Sequence, residues 1–197
     1  MPELPDVVVY VERLQALLGG TTLLGVRVRS PALLRTATPP LASAHGRKLL
    51  AVERIGKRIV LALEGELFLV LHLMIAGRFK LKPPGTALSG KIYAAAFDFE
   101  RHALLLTEAG THKRAQLHLV AGRDALSTLD RGGLEVLHCS EAEFAEALQR
   151  ENHTLKRTLT DPRLLSGIGN AYSDEILHRA GLSPIKMSAK LVPEEIA

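Results

Sequence analysis

The opening MPELPDVVV places a nitrogen and a carboxylate at adjacent positions. A methionine followed by the small residue proline is ordinarily trimmed, and trimming would leave Pro2 as an exposed secondary amine. An α-amine titrates near ~7.7–8.0, so much of it is neutral and nucleophilic at working pH. Glu3 adds an acid beside it. An amine able to attack a carbonyl-like carbon, next to a group that can move a proton, is the kernel of Schiff-base chemistry. The same residues also suit plain entry into a helix, with Asp6 in the first turn where a negative charge complements the helix dipole.

A second stretch with chemical potential is DPRLLSGIGNAYSDEILHRAGLSP, residues 161–184. It predicts a helix, a turn through Ser166-Gly167-Ile168-Gly169, and a second helix from near Asn170. Gly167 and Gly169 let the backbone approach a ligand closely, and the first N–H groups of a helix form an anion site suited to phosphate. An ordinary helix-turn-helix hairpin with no ligand fits the spacing equally well.

The elements that must position these groups fall into two textures. DVVVYVERLQALL, residues 6–18, has apolar residues at helical spacing and is stopped by Gly19-Gly20. TLLGVRVR, RKLLAVERI, RIVLAL, LFLVLHL, GRFKLK, IYAAAFDF, ALLLTE and AQLHLV follow as short apolar runs, broken by Gly, Pro or the EGE turn at 64–66. They predict an antiparallel β-sandwich with a helix at its N-terminal edge. Beyond about residue 140 the pattern is helical. Ser140 and Glu143 match a capping box before EAEFAEALQRE, and HTLKRTLTD, NAYSDEILHRA and the start PEEIA read as further helices. The expected organisation is α+β: a β-sandwich domain over 1–135 and a helical domain over 136–197, with the linker around 131–140. The chain stops at Ala197 on what reads as a helix's first turn, as a fragment would.

Composition narrows the classes. The net charge of +4 fits a nucleic-acid partner without establishing one. A single cysteine, Cys139, excludes an internal disulfide and a multi-cysteine zinc site, which makes a reducing cytosol the default. No apolar run is long enough to span a bilayer, and the first charges are acidic, unlike a signal peptide.

Taken together, MPELPD and the 161–184 stretch resemble the formamidopyrimidine-DNA glycosylase / endonuclease VIII family, whose members carry a helix–two-turn–helix. The resemblance covers essentially the whole chain. It implies a base-excision repair enzyme that removes an oxidised base and then nicks the strand as an AP lyase. The alternative is a non-catalytic module of the same fold that binds damaged DNA. Carried over, Pro2 matches the nucleophile that attacks the sugar's anomeric carbon, and Glu3 the acid that helps open the sugar ring. Lys57, at the start of a strand in RIGKRIVLAL, matches the lysine that reaches the damaged nucleotide and its phosphate. Asn170 matches the asparagine that holds backbone phosphate. Lys156 falls at a position near the lesion, and Arg157, Gly167 and Gly169 join it in an expected phosphate-contacting surface. His72, in LHLMIAG, matches a packing or phosphate-side histidine. The implied partner is DNA with damaged bases or abasic sites, with no membrane. The protein is expected to be a monomer in the cytoplasm, nucleoid-associated in a bacterium.

The chain also departs from the family pattern. Asp6 stands where glutamate is usual. Family members commonly fill the hole left by an everted base with Met, Arg and Phe. Here the Met position falls on Ile75, preceded by Met74, and the loop TEAGTHKRA places Gly110 and His112 at the other two. The family's zinc finger needs four ligands and is absent, so no cofactor is expected in this chain, and zinc only if the native chain continues.

Overall fold

A computed structural model describes residues 1–196. It divides into two compact units, Met1–Leu129 and the residues from Asp130 onward.

The first unit opens with α1 (Leu4–Leu18), two residues earlier than the apolar periodicity alone predicts. The cause is local. Glu3 and Asp6 form a reciprocal capping box, and the Glu3 backbone N–H donates to the Asp6 carboxylate at 2.9 Å. Pro5 sits in the first turn, where a missing N–H costs nothing. Val7, Leu14 and Leu18 of α1 enter the core.

Eight strands follow: β1 (Thr22–Val28), β2 (Arg47–Ile55), β3 (Arg58–Leu63), β4 (Leu67–His72), β5 (Gly77–Lys82), β6 (Tyr93–Phe99), β7 (Ala103–Glu108) and β8 (Gln116–Ala121). Their order is β5-β7-β6-β1-β2-β3-β4-β8, antiparallel throughout. β1 and β2 pair only at Thr22↔Lys48 and Leu23↔Arg47, so the sheet folds over at this seam into two four-stranded layers. The core between them draws Leu61, Leu69, Leu71, Leu117 and Leu119 from one layer and Phe97, Phe99, Leu104 and Leu106 from the other. This is the α+β sandwich expected from the sequence. The outer face of β3, β4 and β8 is also covered, by Leu126 of α2 (Arg123–Ser127), a helix too short for periodicity to reveal. Two buried faces explain why RIVLAL and LFLVLH are continuous apolar runs without alternation.

The second unit begins with β9 (Leu134–Glu135), which pairs in parallel with β10 (Leu165–Ser166). Residues placed in the linker by composition are therefore part of this unit. α3 (Glu141–Gln149) starts on the Ser140–Glu143 capping box, as the sequence predicts. α4 (Leu155–Thr160), α5 (Asn170–Ala180) and α6 (Pro193–Ile196) complete it. Leu148, Leu155, Leu159, Leu164, Ile168 and Leu177 form a separate aliphatic core.

Candidate functional site

In the first unit, the fold gathers Pro2, Glu3, Lys57 and His72, which the sequence scatters over seventy residues. With Met1 on the chain, Met1 is exposed and Pro2 is buried. With Met1 in place the Pro2 nitrogen is a tertiary amide without nucleophilicity; removing Met1 would both free and uncover it. Glu3, 2% exposed, is fixed by the capping box of α1, and Asp6 serves as its backbone anchor. That accounts for the shorter acid at position 6, which only has to reach one turn back.

Lys57 is not a strand residue but the second residue of the two-residue turn Gly56-Lys57 between β2 and β3, closed by the Ile55↔Arg58 pair. Gly56 takes φ +55, which the tight turn requires. Lys57 is half-buried, and burial holds its ammonium below the ordinary lysine range. The charge of Glu3 pulls the other way, which places the two groups in one electrostatic environment. A solvated strand-edge lysine would show neither effect.

His72, the last residue of β4, lies opposite Arg58 in register. Burial first, then the positive charges of Arg58 and Lys57 and the neighbouring His118, push its imidazole down to about 4, so the ring is neutral at physiological pH. Its Nδ1 accepts the Met74 N–H at 3.0 Å, which puts the ring proton on Nε2. That bond fastens the β4–β5 turn, where Met74 holds φ +52, unusual for a non-glycine residue, and Ile75 stands 54% exposed at the tip. Gly77 closes the turn through its N–H to the Leu73 carbonyl, and a Cβ at Gly77 would lie 2.3 Å from that oxygen.

The second unit holds the remaining candidates. Gly167 (φ +87) and Gly169 are buried in the turn that starts α5, with Gly169 as its N-cap, and Asn170 is exposed at the helix's first position. Arg157 is exposed on α4. Lys156 is committed differently: its ammonium pairs with Asp174 of α5 at 2.5 Å. The start of α4 offers no anion site at Leu155 and Lys156, whose N–H groups donate to Lys186 and Pro184.

Sequence patterns missed three partners. Arg58 and His118 complete the charged surroundings of His72, and Asp174 faces Lys156; each pairing is long-range and becomes legible only from strand register or helix packing. Among the described residues there is no group of three or more His, Cys, Asp or Glu that could hold a metal, and no helix long and apolar enough to cross a membrane.

Comparison with known proteins fits both units. Residues 1–130 match the formamidopyrimidine-DNA glycosylase N-terminal domain, and residues 135–197 the formamidopyrimidine-DNA glycosylase H2TH domain. The chain is 36% identical over 200 residues to a formamidopyrimidine-DNA glycosylase of Thermus thermophilus, covering 99% of this chain and 70% of that protein. It superposes on the crystal structure of the Thermus thermophilus MutM (Fpg) protein with a TM-score of 0.85, covering 99% of this chain and 70% of that one. The fold also matches Lactococcus lactis Fpg in complex with DNA containing an abasic site, with a TM-score of 0.88 at 22% identity, covering 99% and 73% of the two chains. With both family models spanning nearly its whole length, the chain belongs to the formamidopyrimidine-DNA glycosylase family.

Proposed function

We propose that this chain is a base-excision repair DNA glycosylase with AP-lyase activity, acting on oxidised bases through Pro2 once Met1 has been removed. The observation that carries the proposal is the joint placement of Glu3 and Lys57 beside the Pro2 end: a fixed, buried carboxylate in the field of a partly desolvated ammonium. Binding alone needs no such arrangement.

In the proposed reaction the Pro2 nitrogen attacks C1′ of the damaged nucleotide and the glycosidic bond breaks, the proton that the amine loses going to the departing base. Glu3 delivers a proton to the ring oxygen as the C1′–O4′ bond opens, which leaves an iminium on the proline nitrogen. Loss of a C2′ proton then expels the 3′ phosphate, and water releases the protein. Lys57, with its pKa lowered by burial, holds the phosphate of the same nucleotide. Asn170, Arg157 and the Gly167–Gly169 turn bind backbone phosphates, which position DNA without reading its sequence. Ile75 is the wedge that fills the space an everted base leaves, with His72 holding its turn. The substrate is DNA in the cytoplasm or nucleoid, and the enzyme works as a monomer.

The test is borohydride trapping on an oligonucleotide carrying an abasic site or an oxidised base, with intact mass reporting whether Met1 is present. A chain lacking Met1 is expected to trap, and Pro2→Gly, which retains only a primary amine, to trap much less. An unchanged yield in that variant would move the chemistry to a lysine. The second reading, a non-catalytic module for damaged DNA, requires Met1 to stay on the chain, because the Pro2 nitrogen is then a tertiary amide. It predicts tight binding, Met1 retained in the intact mass, and no covalent product.

A further inference from the structure

Besides Glu3, the described residues bury one other carboxylate almost completely: Glu108, 2% exposed, at the end of β7. Burying a carboxylate is costly unless hydrogen bonds replace its water. Here the bonds come from the far end of the loop that Glu108 itself begins. Oε1 accepts the Arg114 N–H at 2.7 Å and the Ala115 N–H at 3.0 Å. Lys113 donates its ammonium to the Glu108 main-chain carbonyl. The six residues between, 109–114, are all exposed, with His112 among them. One buried side chain thus closes the loop into a ring.

The root of that ring is itself rigid. The Glu108 N–H donates to the Ile92 carbonyl at 2.7 Å, and Glu108 pairs in register with Gly77, the residue that closes the Ile75 turn. Thr107, also buried, donates its hydroxyl to the Arg78 carbonyl of β5 at 3.1 Å. The 74–76 turn, with Ile75 exposed at its tip, and the exposed loop 109–114 therefore spring from adjacent, mutually bonded residues. Glu108, Lys113 and Ala115 also line a cavity of about 310 Å³ together with Arg29 and Lys91.

We infer that Glu108 is a positioning residue: its carboxylate presets loop 109–114 beside the Ile75 turn, so that the loop meets duplex DNA already shaped. The inference rests on the proposed reading in which the Ile75 turn fills the space that an everted base leaves in a duplex. A preset loop spares the ordering cost at the moment of binding, and that cost arises only where there is an opposite strand to meet. A single-stranded substrate should not register its loss.

The experiment compares the protein with E108A and E108Q in two measurements. Amide hydrogen exchange reports the clasp directly. The Arg114 and Ala115 amides should be protected in the parent and in E108Q, whose side-chain oxygen still accepts, and fast in E108A. Single-turnover cleavage of one lesion in duplex and in single-stranded DNA reports the role. E108A should lose about tenfold or more on the duplex and little on the single strand, with E108Q restoring the duplex rate. Equal loss on both substrates, no loss on either, or unprotected amides in the parent would each overturn the inference. Should E108A fail to fold, E108D, which withdraws the oxygen by one methylene, carries the same comparison. Failure of the catalytic reading is separate: the parent would then cleave and trap neither substrate, and the inference would fall or stand on exchange and on duplex-against-single-strand affinity of E108A.

Discussion

In the β-rich unit the polar groups singled out here lie inside: Glu3 and Glu108 are each 2% exposed, and burial shifts the titration of Lys57 and His72. In the helical unit they lie outside: Asn170 and Arg157 are exposed, and Lys156 shares its charge with Asp174 at the surface. Buried polar groups must be held by fixed partners, so their geometry is set before any ligand arrives. Exposed ones exchange water and counterions for phosphate oxygens, and their contribution fades with salt. On the proposed reading, one unit carries the chemistry and the other holds the charged chain. Substitutions in the two should therefore fail in different currencies, rate in the first and salt-dependent affinity in the second.

The largest expected effect is at Glu3. Glu3→Gln preserves size and an acceptor for the cap of α1 but removes the proton-transfer group. Base release and borohydride trapping should fall by ~10²–10⁴-fold. Affinity for lesion DNA, measured at fixed salt, should stay close to the parent value. A variant that binds poorly yet reacts at the parent rate would break the division of labour between the units.

What the sequence revealed of that division follows from distance along the chain. The capping box Ser140/Glu143, the EGE turn and the Gly19-Gly20 stop are local, and each is found where its residues predict it. Motif resemblance supplied Pro2, Glu3, Lys57 and Asn170 as candidates, but not their surroundings. Whether Lys57 is solvated depends on what packs around the β2–β3 turn, and whether it feels a carboxylate depends on Glu3 lying within electrostatic reach; local pattern carries no trace of either. Glu108 was invisible for a related reason. A glutamate ending an apolar run reads as an exposed turn residue, whereas every residue of β7 is buried and the carboxylate turns inward to its own loop. β9 and β10 are two residues each and parallel, too short for any periodicity.

A second, smaller effect is on stability. His72 is depressed from its ordinary value of 6.5 to about 4 in the folded chain. Below pH 6.5 the unfolded chain binds a proton that the folded chain refuses, so stability is full above that pH and is lost as pH falls toward 4. The slope that such a group adds is at most ~1.4 kcal/mol per pH unit. His118 is also lowered, by burial and then by Arg58 and Arg35, and adds in the same direction. Chemical denaturation at a series of pH values should show a shallower decline across this window for His72→Gln than for the parent. Arg157→Ala, on the exposed side of the comparison, should leave that profile unchanged.

Arg157→Ala should instead act on binding. Removal of one phosphate contact should lower the slope of log affinity against log salt by about 0.9 on duplex DNA. Asn170→Ala, which removes no charge, should weaken lesion and undamaged strands alike while leaving the slope nearly intact. If Asn170→Ala altered only which lesion is processed, the helical unit would be reading the base, and the contrast between the units would have to be redrawn.

The smallest expected effect is at Asp174, and its sign makes it informative. Lys156 and Asp174 pair across α4 and α5 with side chains 34% and 53% exposed, so the pair itself adds little to stability. Its consequence is for binding: a phosphate approaching Lys156 must compete with a carboxylate already in place. Asp174→Asn keeps the shape and a hydrogen-bond acceptor while removing the competing charge. Exposed pairs of this kind contribute ~0.2–1 kcal/mol, so duplex affinity should rise, by no more than about fivefold. The salt slope should steepen at the same time, because Lys156 would then neutralise a phosphate in place of Asp174. Lys156→Ala in the Asp174→Asn background should remove the whole gain. An affinity that falls in Asp174→Asn would show that the carboxylate aims Lys156 at the DNA and does not hold it back, which would give this surface the preset character now confined to the β-rich unit.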